Sequence, residues 1–210
     1  VGAIETNPVR LDLDEAGELA GVSLAINVVL DAAKRPVAVL AGWPPQVMRT
    51  AAKVTAQVYG LAYDAPYDIV IASCGGTPKD ICLYQAQKGL NTAVQCAAPG
   101  AKVLLVAQCD QGIGDEVYHD YVRRFPCAHS LKKDFESGAF RMGAHKGFLF
   151  ARATTSFEVV VHSDLGPDRL RECLLTPGDM QETVNTWLAG MRNPRVAVVK
   201  NANSSVFYKK

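Results

Sequence analysis

Tyr84, Gln85 and Lys88 form the pattern in this chain best suited to chemistry on a small molecule. Tyr84 and Lys88 stand four apart and Gln85 is one step round, so on a helix they share a face. A phenol, an amide and an ammonium on adjoining positions suit an anionic, hydroxylated ligand. Lysine supplies a point charge, while glutamine and tyrosine supply oriented hydrogen bonds. The same spacing also fits an ordinary solvated helix face, and spacing alone leaves both readings open.

The elements that must position these groups surround them. Asp68–Ser73 is a β-branched run bounded by turn residues and reads as a buried strand. Gly75-Gly76 breaks it, and Thr77-Pro78 restarts the chain as a helix, with Thr77 as cap and Pro78 at the first helical position. Ile81, Leu83, Ala86 and Leu90 lie on the opposite side of that helix, which is expected to run to about Ala97. After a turn at Pro99-Gly100, Lys102–Ala107 is a second buried strand. Two strands joined by a helix of this length imply a parallel βαβ unit. Gln111–Gly114 is then a second glycine turn at the same end of the sheet, so both loops are expected to border one crevice, where α/β sheets bind ligands. Gly75-Gly76 could cradle a phosphate through backbone N–H groups, but neither G-x-x-x-x-G-K-[ST] nor G-x-G-x-x-G follows a strand here. Cys74, near a helix start, reads either as an acidified thiol or as buried packing. Cys109-Asp110 reads the same way.

The remaining chain supports an α/β domain with a mainly parallel sheet and flanking helices, preceded by a β-hairpin and a helix. Val1–Arg10 reads as an extended lead-in and Leu11–Ala20 as a helix. Val22–Asp31 and Val37–Ala41 form the hairpin, and a helix over 45–59 carries Val47, Ala51, Val54 and Val58 on one stripe. Leu61–Pro66 reads as a hinge, which gives three parts: 1–65, 66–200 and a tail over 201–210. Further helices are expected over 115–124, 141–153, 166–174 and 177–191, the last with Met180, Val184, Trp187 and Leu188 facing inward. Phe125–Ser137 reads as a solvated loop with a short helix. Phe157–His162 and Arg195–Val199 read as strands, and the tail as extending away.

Composition narrows the function classes. The 210 residues are 49% hydrophobic and 20% charged, which is ordinary for a globular chain. A net charge of +1 argues against a nucleic-acid partner, and no apolar run is long enough to cross a bilayer. The opening VGAIETNPVR shows no signal-peptide pattern. Six cysteines without a C-x-x-C pair read as reduced, mostly buried thiols of a cytoplasmic protein. Four histidines lack tight metal-ligand spacing, so no metal site is expected from this chain's own residues.

SCGGTPKD followed by LYQAQKGL resembles the C-terminal half of the nickel-pincer lactate racemase (LarA-like) family. GAIETNPVRLDLDEAGELAGVSLAINVVLD resembles the family segment leading out of the N-terminal domain, and KVLLVAQCDQGIGDEVYHDY the strand and glycine turn after the signature helix. The resemblance implies that Tyr84, Gln85 and Lys88 face a substrate across a cleft, with Lys88 closest to the chemistry. It places His145, or Phe148 in its stead, where the family has a further substrate-facing group; a surface pair, His145-Lys146, is the alternative. It implies a 2-hydroxy acid racemase or epimerase, an isomerase. The nickel-pincer nucleotide is then held by an N-terminal domain whose motifs this chain lacks, and residues 1–65 are a remnant of that domain. On this reading the chain is a C-terminal portion, inactive alone and binding no nickel, with its own N-terminal domain or a separate subunit as partner. Trp43 reads as core of that domain or as exposed. The rival reading is a non-catalytic ligand-binding or subunit-interaction domain.

Overall fold

The computed structural model describes residues 3–138 and 140–210 and divides the chain into two compact units, Val1–Ala62 and Tyr63–Lys210. In the first unit, helix α1 spans Pro8–Leu19. It starts earlier than the expected lead-in allows, because Asn7 accepts the Val9 N–H at 3.0 Å and Pro8 takes the first turn. Strands β1 (Ala25–Leu30) and β2 (Pro36–Gly42) pair antiparallel. Their turn is closed by the Asp31 carboxylate, which accepts the N–H groups of Ala33 and Arg35 at 2.8 and 2.9 Å. Helix α2 (Pro44–Tyr59) lays Val47 and Ala51 on the hairpin, and the Tyr59 hydroxyl donates to the Leu30 carbonyl at 2.7 Å. Ile26, Val28 and Val39, on the other face of the hairpin, are exposed, as is Trp43. Strand β3 (Gly60–Tyr63) leads out of this unit.

The second unit contains β4 (Tyr67–Ser73), α3 (Leu83–Ala93), β5 (Ala97–Val106), α4 (Glu116–Val122), α5 (Ala128–Ser137) and α6 (Ala144–Thr154). It continues with β6 (Glu158–His162), α7 (Pro167–Glu172), β7 (Thr176–Pro177), α8 (Met180–Ala189) and β8 (Val196–Val199), and ends in a 3-10 turn at Ala202–Ser204 and β9 (Val206–Lys209). Five strands form one parallel sheet in the order β7-β6-β5-β4-β8. Val70, Leu104, Leu105 and Val161 are fully or almost fully buried, which is why these strands read as near-continuous apolar runs. Leu83, Ala86 and Leu90 of α3 pack on one sheet face with Tyr118, Val122 and Phe150. On the other face, Trp187 of α8 packs on Ile69, Leu104 and Val160, and its Nε1 donates to Glu158 at 2.7 Å. Burying one such large side chain contributes roughly 1.5–3 kcal/mol.

Several expectations need correcting. The signature helix begins at Leu83, with Cys82 as its cap, and not at Pro78. Pro99-Gly100 is an irregularity inside β5, where pairing jumps from Tyr67↔Ala97 to Ile69↔Lys102, and the helix ends at Ala93. Met180 and Leu188 of α8 are exposed, leaving Trp187 as the buried residue of that helix and Val184 partly covered. The tail does not extend away: Ala202 and Phe207 are buried, and Phe207 meets Tyr63 edge-on at 6.1 Å.

No helix is long and apolar enough to cross a membrane among the described residues.

Candidate functional site

Strand order reverses beside β4, so the ligand crevice of a doubly wound sheet would open after β4 and β8. The chain's own tail fills that place. Asn203 Nδ2 donates to the carbonyls of Lys79 and Gln85, at 2.8 and 3.4 Å. A Cβ on Gly75 would stand 2.5 Å from Asn201 Oδ1, so this glycine admits the tail and is not a free phosphate cradle. The two glycine loops, expected to border a crevice, are instead joined directly. The Asp80 carbonyl accepts Cys109 N–H at 2.8 Å, the Ile81 carbonyl accepts Gln111 N–H at 2.9 Å, and the carbonyls of Gly112 and Ile113 accept Leu83 and Tyr84 N–H, both at 3.0 Å. These last bonds satisfy two of the free donors at the start of α3 and fix where the helix begins.

Polar chemistry is therefore displaced onto the outer face of α3. Lys88 is exposed, and its ammonium donates to Gln85 Oε1 at 2.8 Å. Tyr84 and Gln85 are half-buried. Helix α6 completes the cluster. His145 meets the Tyr84 ring edge-on, at 6.2 Å and 88°. Lys146 places its ammonium 5.4 Å from the centre of the Tyr84 ring and donates to Gln87 Oε1 at 2.9 Å. Thus Tyr84, Gln85, Lys88 and His145 come together. Phe148 does not join them: it stacks on Phe135 at 4.8 Å, in the seam between α5 and α6.

Burial dominates the electrostatics of this cluster. It pushes the Tyr84 phenol up, and the Asp115 carboxylate adds to the effect, so the hydroxyl stays a protonated donor at neutral pH. Burial holds His145 below its ordinary value, with Lys146 adding to it and Asp115 opposing. The imidazole is therefore mainly neutral at pH 7, and among the described residues its buried Nδ1 has no hydrogen-bond partner. Burial, then Lys88, holds the Lys146 ammonium below the usual lysine range. Cys74, by contrast, is no acidified thiol: burial, reinforced by Asp80 and Cys109, pushes it up to about 12. Cys109 is pushed up to about 11 by burial.

Lys146 and Gln87 were not singled out as site residues from the sequence. Gln87 sits three residues from Tyr84 on the buried side of α3, and only the packing of α6 shows that it has a lysine partner. The sequence signal was limited to the adjacent His145-Lys146 pair.

The resemblance implies a nickel-pincer nucleotide on another domain. Among the described residues no three His, Cys, Asp or Glu side chains are placed to hold a metal ion. This chain's described residues therefore do not fit a nickel centre, and the chemistry below is that of its own side chains.

The second unit is a three-layer α/β domain whose switch point is filled by its own tail and whose polar cluster draws on both α3 and α6. Residues 63–204 match the family described as the lactate racemase C-terminal domain, and the chain belongs to that family. A lactate racemase of Thermoanaerobacterium thermosaccharolyticum is 28% identical over 122 residues, and one of Lactiplantibacillus plantarum 32% identical over 123. The matched stretches cover 58% and 57% of this chain but only 28% of each relative. In structure, the lactate racemase apoprotein of T. thermosaccharolyticum matches 98% of this chain and 50% of its own, with a TM-score of 0.88 at 21% identity. A Thermotoga maritima protein matches 97% and 54%, with a TM-score of 0.70 at 15% identity. At these identities the structural matches establish the fold.

Proposed function

We propose that the α3 face binds a small 2-hydroxy acid, and that this chain is the substrate-holding part of a lactate racemase-like isomerase. Lys88 pairs with the carboxylate or stabilises charge developing on a substrate oxygen. Gln85 and the protonated Tyr84 donate to the remaining oxygens, and neutral His145 stands beside the Tyr84 ring. Phe148 acts from behind, holding α6 against α5. Residues 1–65 belong with a neighbouring domain, 66–200 close over the substrate, and 201–210 lock α3 in place.

The observation that carries this reading is the bond between Lys88 and Gln85 beside Tyr84, within the segment that matches the family. Since the matched region is a minor part of each relative, the inversion at the α-carbon is assigned to a segment outside it, and the nickel-pincer nucleotide with it. What this chain supplies is orientation and exclusion of water.

The test is lactate binding by the 210-residue chain, followed by NMR, with Lys88→Ala beside it. Binding should weaken about tenfold, the equivalent of about 1.4 kcal/mol; unchanged affinity removes Lys88 from the site. A chiral assay on the same chain should show no racemisation of lactate, and turnover would overturn the division of labour.

A further inference from the structure

The Lys146 ammonium is a buried charge without an opposite charge. Its residue is 8% exposed, within the range of the core residues. Among the described residues its ammonium has one hydrogen-bond partner, the neutral amide of Gln87, itself 2% exposed, and it also stands over the Tyr84 ring. Among the described residues no carboxylate lies within ion-pair distance of it. The nearby charge that acts on it is another cation, Lys88. Two ammoniums that repel each other, one of them desolvated, are an unfavourable arrangement for an isolated fold. Met or Leu would fill the space under the Tyr84 ring at lower cost. The arrangement becomes favourable when an anion sits between the two lysines.

We infer that Lys146 is a second cation of the substrate site, and that Lys88 and Lys146 together grip one carboxylate of the 2-hydroxy acid from α3 and α6. The inference rests on the proposed reading of the α3 face and deepens it. Lys88 approaches from the solvent side, while Lys146 approaches from beneath, anchored by Gln87. Because one lysine lies on each helix, an anion bound by both also ties α6 to α3. Specificity follows: the site takes carboxylates and rejects the neutral amides of the same hydroxy acids.

The test compares lactate with lactamide on the 210-residue chain, with the lysine side-chain resonances as readout. Lactate should shift the Lys146 and Lys88 signals, and lactamide neither. Lys146→Met should weaken lactate binding about tenfold. Since that change leaves Gln87 without its partner, the double variant Lys146→Met, Gln87→Leu is made beside it. It should keep the thermal midpoint or raise it while showing the same loss of binding, an outcome that a purely structural lysine does not give. If both variants bind lactate as the parent does while Lys88→Ala does not, the inference about Lys146 fails and the reading of the α3 face stands. If Lys88→Ala is also without effect, or the parent chain shows no lactate-induced shift, both fail. If the double variant unfolds, Lys146 is a structural residue and the inference is overturned.

Discussion

The imidazole of His145 stands perpendicular to the ring of Tyr84, 6.2 Å away, with Phe140 on another side at 5.7 Å. Burial and the Lys146 ammonium favour the neutral form of this imidazole, whose Nδ1 has no hydrogen-bond partner among the described residues.

This gives the first prediction. His145 binds its proton less readily in the folded chain than in the unfolded one. Well above about pH 6.5, the ordinary histidine value, both states are neutral and the residue contributes no slope. Below that, the unfolded chain takes up the proton first, so stability falls with pH until the folded value is passed. His145→Phe keeps the ring contacts and removes the titration. Its thermal midpoint should change less than the parent's between pH 7.5 and 5.5, and parallel curves would show that His145 titrates normally.

The second prediction concerns the tail. A Cβ on Gly89 would stand 2.8 Å from both Asn203 Oδ1 and Cys74 Sγ. Helix propensity favours alanine over glycine by about 1 kcal/mol, but overpacking against two held side chains costs roughly 1–3 kcal/mol. Gly89→Ala should therefore be neutral to destabilising, lowering the thermal midpoint by up to several degrees. In an Asn203→Ala background its cost should shrink, since half the overlap is gone. Strict additivity in that cycle would show that the two residues do not meet.

These elements show what the sequence made legible. Strands β4, β5 and β6 were readable because burial on both faces writes them as apolar runs, β8 because it is a run of valine and alanine even though Val196 and Val198 are exposed, and α3 because Leu83, Ala86 and Leu90 recur at helical spacing. The start of α3 was not readable. Thr77-Pro78 has local helix-start chemistry, but carbonyls some thirty residues away, on Gly112 and Ile113, accept the first helical N–H groups instead. The two-residue β7 has no periodicity to detect. Lys146 was visible only as half of a polar pair, because its burial depends on Gln87 and Tyr84, on another helix. The tail looked polar, yet Asn203 donates to backbone carbonyls of the glycine loop and α3.

The third prediction separates the thiols. Cys127 is exposed, and the Ser130 hydroxyl beside it, 3.5 Å away, holds it below the usual cysteine value. Burial pushes Cys74 up to about 12 and Cys96, Cys109 and Cys173 up to about 11, and Cys82 is buried as well. Thiolate fraction and access both favour Cys127. Brief alkylation at pH 7.5 should add one label to the native chain, at Cys127, and six after denaturation. Early labelling of Cys74 or Cys109 would contradict the packing of the glycine loops.

The last prediction divides the two jobs of Asp115. Its Oδ1 accepts the Tyr118 N–H at 2.7 Å and caps α4. Its charge also reaches the site, raising the Tyr84 phenol and opposing the depression of His145. Asparagine caps as well as aspartate, while alanine costs about 1 kcal/mol at such a position. Asp115→Asn should therefore keep the thermal midpoint and Asp115→Ala lower it. Both should move the titration midpoints of Tyr84 and His145 downward, since removing a negative charge makes the phenolate easier and the imidazolium harder to form. NMR titration of the two rings reads this directly. If Asp115→Asn leaves both midpoints in place, the carboxylate serves α4 alone, and the polarity of the α3 face is set by burial and the two lysines.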